Sequence, residues 1–560
     1  MKICKNNNES IRKALLLIFH SSLSLSILYI FLMVLEALLP LALLYAIKYL
    51  VDVVTQLLRQ PEAFADGTLY RCVALFCGLL LLNRVGSIFQ SVVSELLGKK
   101  TVDHIQDKIQ RQSARLDLAY YDSASYHDMF YLVRQESGTR PLQLLRLFAQ
   151  MVSQGLTLLG ILLMFGTFSL PMLLVLLLAG LPSFFARTRR AGLFYRWRKE
   201  KVVEHREANY LSRLLTDRTF AKEIRMYGLA EYLQRKITCI RERLYRQRRK
   251  LLQRTALWSL LAVLVEVSAF ALMVVLLFRQ AIAGALTIGG FVMYFQAFRR
   301  GSSSMQTVVA SVSDFHENLL FLNNLFAFLQ LEPAICSPKS PVPFPERIQK
   351  GIRFENVSFT YPNTDKKVLD RVYLEFLPHR VNRLGGANGS GKTTMVKLLC
   401  RLYECDEGAI YIDDTDIRCF DLTDLRAHIA VLFQDFVGYA FTAEENVLLS
   451  QSSREEEAWR QALRSSGADE VIAALPHAEQ SLLGTLFEGG SELSMGQWQR
   501  VALARVLYRK APVLLLDEPV AWMDAVGKAH FQEALSALGG ETLLILVDHD
   551  AEWEKGKQLG

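Results

Sequence analysis

Apolar residues in the first 310 positions run in long windows, at 23–47, 69–94, 147–168, 171–186, 256–278 and 284–308. A helix of a soluble domain buries one stripe and leaves the rest polar. Leu173-Leu174-Val175-Leu176 and Leu272-Met273-Val274-Val275-Leu276 are instead apolar all round. Each window is long enough, or nearly so, to cross about 30 Å of hydrocarbon as a helix, so the pattern predicts six spans. Ser169-Leu170-Pro171 is all that separates the third window from the fourth, which predicts a hairpin. Beyond residue 350 the pattern changes. Ile352-Arg353-Phe354-Glu355-Asn356-Val357-Ser358-Phe359 alternates like a half-buried strand, while Val513-Leu514-Leu515-Leu516 reads as a strand covered on both faces. The predicted fold class is an all-α six-span membrane domain followed by an α/β domain.

Charge orients the spans. Lys99, Lys100, Lys108, Arg111 and Arg115 follow the second window. Arg187, Arg189, Arg190, Arg196, Arg198 and Lys199 follow the fourth, in a segment that closes with Arg246, Arg248, Arg249 and Lys250. The opposite loops are poor in basic residues, so these segments and both termini are expected in the cytoplasm, with the protein in the cytoplasmic (inner) membrane. The net charge of +8 resides largely here. Because the basic residues flank spans, it points to membrane lipid as a partner and away from nucleic acid. No cleavable leader is expected, and residues 11–20 read as an amphipathic surface stretch. The eight cysteines are scattered without metal-site spacing and are expected as free thiols. Pro333, Pro338, Pro341, Pro343 and Pro345 mark a linker. The expected organisation is a membrane domain over 1–335, a linker over 336–349, and an α/β domain over 350–560.

Candidate chemistry is concentrated in the last third. Gly386-Ala387-Asn388-Gly389-Ser390-Gly391-Lys392-Thr393-Thr394 fits the phosphate-loop pattern G-x-x-x-x-G-K-[ST]. Its glycines let backbone N–H groups turn toward phosphates, Lys392 can reach the β- and γ-phosphates, and the Thr393 hydroxyl can ligate Mg²⁺. The following helix directs its positive end at the same phosphates. Asp517 and Glu518 end the apolar strand, with Asp517 suited to Mg²⁺ and Glu518 to polarising a water.

With Leu493-Ser494-Met495-Gly496-Gln497 between these two motifs, the chain resembles the ATP-binding cassette (ABC) family, whose signature there is Leu-Ser-Gly-Gly-Gln. The resemblance spans about 190 residues. It implies a P-loop NTPase of ABC type, with ATP and Mg²⁺ as cofactors. It also implies base stacking by Tyr361, Mg²⁺ sensing by Gln434, γ-phosphate contact by His549, and a D-loop role for Asp524. Ser494, Gly496 and Gln497 would meet nucleotide held by a second subunit. One chain supplies one phosphate loop and one signature, so a homodimer or a heterodimer with another half-transporter is implied. The polar hairpins 95–145 and 187–255, tipped by 119–123 and 220–228, resemble the coupling regions of six-span cassette exporters. Leu432-Phe433-Gln434-Asp435-Phe436 with Tyr439, Thr442, Glu445 and Asn446, and Phe487-Glu488-Gly489-Gly490-Ser491-Glu492-Leu493-Ser494 followed by Gln497-Trp498-Gln499, look like exporters of lantibiotics and related peptides. Peptide is the expected cargo, with lipid or drug as the alternative. Glu36 and Glu266, inside spans, could attract a cationic peptide or pair structurally, for example with Arg84.

Several positions depart from the family pattern. Met495 replaces a signature glycine, which is expected to cost backbone freedom and to crowd a γ-phosphate. Arg383 lies in the strand feeding the phosphate loop, where a buried guanidinium needs an acid or an exit to solvent. Ala521-Trp522-Met523 is an unusual approach to Asp524. The chain stops eleven residues after His549, where related cassettes continue, so a sheet edge is expected to lose cover. Two readings stay open: an active exporter, or an ATP-binding, weakly hydrolysing partner of a heterodimer.

Overall fold

The computed structural model describes residues 12–13, 16–59, 67–387, 389–449, 451, 453–523, 528, 531–532, 535 and 542–548. The chain divides into two compact units, 1–114 with 129–330, and 115–128 with 331–560. The first 330 residues carry helices α1 (Leu23–Arg59), α2 (Thr68–Arg115), α3 (Leu118–Tyr121), α4 (Ala124–Glu136), α5 (Arg140–Phe168), α6 (Leu170–Glu200), α7 (Val202–Thr216), α8 (Ala221–Met226), α9 (Ala230–Ile282) and α10 (Ile288–Leu329).

Five of these, α1, α2, α5, α6 and α9, are long and apolar enough to cross a membrane. The sixth expected span falls on α10, which does not meet that measure, because Arg299, Arg300, Ser302, Ser303, Ser304 and Gln306 dilute it. The expected hairpin is present: the chain breaks at Ser169 alone, whose extended backbone (φ −157°, ψ 110°) separates α5 from α6. At about 1.5 Å per residue, the 48 residues of α2 and 53 of α9 far exceed about 30 Å of hydrocarbon. Their polar halves therefore continue beyond it. There the first half of α9 packs as an amphipathic helix, burying Leu233, Ile237, Ile240 and Leu244 against Ala208 and Leu211 of α7.

Close packing of the spans uses small residues. A Cβ on Gly160 would come within 2.3 Å of Leu41, and one on Gly180 within 2.1 Å of Met305. Polar residues fasten helices too. The Thr157 hydroxyl donates to the Ala37 carbonyl at 2.9 Å. The carboxylate of Asp52 accepts the Gly289 N–H at 2.9 Å, at the start of α10, where a negative charge complements the helix dipole. Glu266 accepts from Ser302 at 2.5 Å and Gln306 at 2.7 Å, so its structural partners come from α10. Glu36 instead lines a polar cavity with Arg146 and Arg300, not with Arg84.

Among its described residues the second unit has eight strands, β1 (Ile352–Thr360), β2 (Lys367–Phe376), β3 (Val381–Leu384), β4 (Glu407–Ile412), β5 (Thr415–Asp416), β6 (Ile429–Leu432), β7 (Val513–Asp517) and β8 (Leu543–Val547). An antiparallel sheet runs β2-β1-β4-β5 and a parallel one β3-β8-β7-β6. Every residue of β7 and β8 is buried, as their unbroken apolar runs require. β8 lies between β3 and β7 in the order of the described strands, and β3 stands at its end. Arg383 lies on β3, at the end of that order, where alternate residues are exposed, and its side chain points outward rather than into the core.

The proline-rich stretch packs on this unit. Ile335, Phe344 and Ile348 are buried, and the Phe344 ring stacks on His428 at 4.6 Å. The carboxylate of Asp413 accepts the N–H groups of Gln349, Lys350 and Gly351.

Candidate nucleotide-binding site

The register of the parallel sheet sets the site. Leu384 pairs with Val547, Val547 with Asp517, and Leu432 with Leu516, so the carboxyl ends of all four strands lie side by side. The loops that leave those ends carry 385–391, Gln434, Glu518 and Asp548. In open α/β sheets ligands bind at this edge.

Gly386, Gly389 and Gly391 have φ of 153°, 81° and 91°, backbone that side chains rarely adopt, and a Cβ on Gly391 would lie 2.5 Å from Leu369. Gly391 caps the helix Lys392–Leu399. The Lys392 side chain is folded into the loop, its Nζ donating to the carbonyls of Gly386 at 2.5 Å and Ala387 at 3.1 Å. The Thr393 hydroxyl donates to Asp517 Oδ2 at 2.8 Å. Thr394 shares a hydrogen bond of 3.0 Å with the Tyr361 hydroxyl. The Cys400 thiol, just past this helix, is pushed up to about 12 by burial and is no nucleophile at neutral pH.

Gln434 Nε2 donates to Glu518 Oε2 at 2.9 Å. Glu518 has φ of 50°, left-handed backbone held by its N–H bond to the Val547 carbonyl at 3.0 Å. Strained backbone of this kind tends to gather at functional sites. One residue here, named in the sequence only as part of the run Gln497-Trp498-Gln499, was given no role of its own. Gln499 is 2% exposed; its Nε2 donates to the Glu518 carbonyl at 3.0 Å, and its Oε1 accepts the Trp522 N–H at 3.1 Å. A glutamine inside an amphipathic helix reads as surface, and the only signal was its place five residues past Ser494.

The signature segment opens the helix Met495–Tyr508 with a capping box. The Ser494 hydroxyl accepts the Gln497 N–H at 3.3 Å, while Gln497 Oε1 accepts the Ser494 N–H at 2.9 Å. A Cβ on Gly496 would lie 2.4 Å from the Trp522 carbonyl, so this glycine is required by close approach. Met495 is different. Its backbone is ordinary helix and its side chain is 55% exposed, so it costs no strain within the chain. Ser494, Gly496, Gln497, Arg500, Trp522 and Met523 border a cavity of about 500 Å³. Asn388, Asp524 and His549, like the last eleven residues, lie outside the described residues.

A family model described as ABC transporter matches residues 369–521. The ATPase half of the chain is an ABC transporter domain. That family comprises ATP-hydrolysing translocases, and the domain binds ATP. The subtilin transport ATP-binding protein SpaT of Bacillus subtilis is 26% identical over 96% of this chain and 87% of its own length. The nisin transport ATP-binding protein NisT of Lactococcus lactis subsp. lactis is 27% identical over 82% of this chain and 77% of its own. An ATP-dependent lipid A-core flippase of Thiobacillus denitrificans is 33% identical, over 50% of this chain and 48% of its own. A bacterial Atm1-family ABC exporter solved with ATP bound has the same fold, with a TM-score of 0.76, 20% identity and coverage of 95% of this chain and 91% of its own. The chain is thus a membrane protein with fused helical and ATPase domains, the ATPase domain in the cytoplasm.

Proposed function

We propose that the chain is one half of a dimeric exporter in the cytoplasmic membrane that couples ATP hydrolysis to outward movement of a peptide. The observation that carries the ATPase reading is the convergence of Lys392, Thr393, Asp517, Glu518 and Gln434 at one edge of the parallel sheet. The Thr393 hydroxyl, the Asp517 carboxylate and the Gln434 amide are oxygen donors of the kind Mg²⁺ takes, so these residues fit that ion. Once bound, Mg²⁺ would neutralise phosphate charge. Lys392 and the loop N–H groups hold the phosphates. Glu518 accepts a proton from the attacking water, with Gln434 fixing the carboxylate. Asp524 and His549 are assigned, by resemblance, to the subunit boundary and the γ-phosphate. Ser494, Gly496 and Gln497 face nucleotide on the second subunit, which makes a dimer the working form. In the helical unit, α10 is assigned as the sixth span and 220–228 as a coupling segment; 119–123, which fold with the ATPase unit, are assigned as the other coupling segment.

Support for a peptide comes from the cavity of about 370 Å³ among α1, α2, α5 and α10. Twelve of its fourteen described lining residues are polar or charged, the exceptions being Tyr29 and Ala149. Gln90 Oε1 and Ser153 Oγ are buried there without a hydrogen-bond partner among the described residues. Unpaired polar atoms inside a membrane domain are costly, and a cargo rich in amides and charges satisfies them better than an acyl chain. Glu36 faces Arg146 and Arg300 in the same cavity, which suits a cargo bearing both charges. The test uses the full chain in inverted membrane vesicles. ATP should drive uptake of a fluorescent lantibiotic-like peptide, and Lys392→Ala should abolish it. ATP-dependent flipping of a fluorescent lipid without peptide uptake would overturn the peptide reading. A second subunit with stronger activity, required for any turnover, would favour the weakly hydrolysing heterodimer partner.

A further inference from the structure

Residues 115–128 fold with the ATPase unit, and their contacts within it are specific. Asp117 Oδ2 accepts the Ala334 N–H at 2.6 Å, and the Tyr120 hydroxyl donates to the Glu332 carbonyl at 2.9 Å. One contact leads toward the nucleotide. The Tyr403 hydroxyl donates to Asp122 Oδ2 at 2.5 Å, and Asn363 donates to the Asp122 backbone carbonyl at 3.4 Å. The buried Tyr403 ring stands nearly perpendicular to Tyr361, at 84° with centroids 5.3 Å apart. Phe359 packs edge-on against both rings, at 4.9 and 5.5 Å. The Tyr361 hydroxyl in turn meets Thr394, in the first turn after the phosphate loop. Burial and the hydrogen bond to Asp122 both raise the Tyr403 hydroxyl above its ordinary value, so it remains a protonated donor.

We infer that Tyr403 is a positioning residue that links Asp122 to Tyr361, so that docking of segment 115–128 and binding of the adenine base favour each other. The inference rests on the assignment of Tyr361 as the base-stacking residue. The physical reason is local. The plane of Tyr361 is fixed by the rings of Phe359 and Tyr403 and by Thr394, and Tyr403 cannot turn without breaking its bond to Asp122. A base that needs Tyr361 in this plane therefore favours the state in which Asp122 is docked. Such linkage is reciprocal.

The test uses the full-length protein in nanodiscs, without Mg²⁺ so that nothing is hydrolysed. Fluorescent ATP and inorganic tripolyphosphate, which lacks a base, are the two probes. Tyr403→Phe keeps the ring and removes the donor; Asp122→Ala removes the exposed acceptor. Each should weaken ATP binding by about five- to tenfold, the lower range of measured coupling. The double variant should be no weaker than either single one, and tripolyphosphate binding should not change. Hydrogen exchange at 117–128 should slow on adding ATP in the parent and not in Tyr403→Phe. Equal loss for both probes, independent additive losses, or no loss would overturn the link. Tyr361→Ala separates the premise. If it lowers ATP but not tripolyphosphate affinity while Tyr403→Phe does neither, base stacking stands and the link falls. If Tyr361→Ala affects neither probe, both fall.

Discussion

The Thr393 hydroxyl donates to the Asp517 carboxylate across 2.8 Å, joining residues 124 positions apart. Two oxygen donors from the phosphate loop and the end of β7 are thereby side by side, as a hard divalent cation needs. Asp517→Asn should therefore weaken Mg-ATP binding while leaving metal-free ATP binding close to the parent value. Titration of fluorescent ATP with and without Mg²⁺ checks this. An equal loss in both conditions would mean that Asp517 supports the fold rather than the ion.

Glu518 is held by Gln434 on one side and by left-handed backbone on the other. Glu518→Gln should keep ATP binding and lower turnover by about 10²–10⁴-fold, the usual cost of losing a general base. A phosphate-release assay reads this directly. Turnover at the parent rate would assign the base elsewhere.

Gln499 clamps the Glu518 carbonyl and the Trp522 N–H with one buried amide. Gln499→Ala leaves the Trp522 N–H without this acceptor, at about 1–3 kcal/mol, while the Glu518 carbonyl keeps the Ala521 N–H at 3.3 Å but loses the Gln499 amide. Thermal stability should fall and turnover should fall further, because Glu518 loses its hold, while metal-free ATP affinity changes little. Gln499→Glu keeps the acceptor for Trp522 and should recover stability more than turnover.

Met495 stands 55% exposed where the family signature has glycine, and its helical backbone needs no glycine. Its cost therefore falls on the neighbour across the proposed dimer and not on its own chain. Met495→Gly should raise the ATPase rate of the assembled protein several-fold. It should also lower thermal stability slightly, by about 1 kcal/mol at most for a glycine in a helix. An unchanged rate would show that the side chain turns away from the opposite nucleotide.

What the sequence disclosed depended on the kind of constraint. The phosphate loop was legible because its chemistry is written in backbone demands, and Gly386, Gly389 and Gly391 meet those demands in the structure. β7 was legible because burial on both faces leaves an unbroken apolar run. Strand order was not, so Arg383 looked like a buried charge although β3 lies at the end of the parallel sheet and exposes it. Glu36 invited a partner in the next helix, yet it lines a cavity whose walls come from four helices far apart in sequence. Tyr403 and Asp122 are 281 residues apart and Gln499 acts through main-chain atoms, so no local pattern marks either. The sixth span was read from apolar content that α10, with its paired arginines and serines, dilutes.

The last prediction concerns orientation, which rests on charge. The basic runs on α2, α6 and α9 flank the apolar windows on one side, and moving them through hydrocarbon is far costlier than leaving them in the cytoplasm. In a background with the native cysteines replaced, Ala230→Cys, at the start of α9, should resist a membrane-impermeant thiol reagent in intact cells. It should react once the cells are opened. Asp66→Cys, between the first two apolar windows, should react in intact cells. The second pair of outcomes matters most for the count of spans, because α10 is the expected span that falls short in apolar content. Gly284→Cys, in the turn before α10, should label from outside and Gln330→Cys, at its C-terminal cap, only after opening. Labelling of both from the same side would mean that α10 does not cross, and the six-span assignment would fail while the ATPase site stood unaffected.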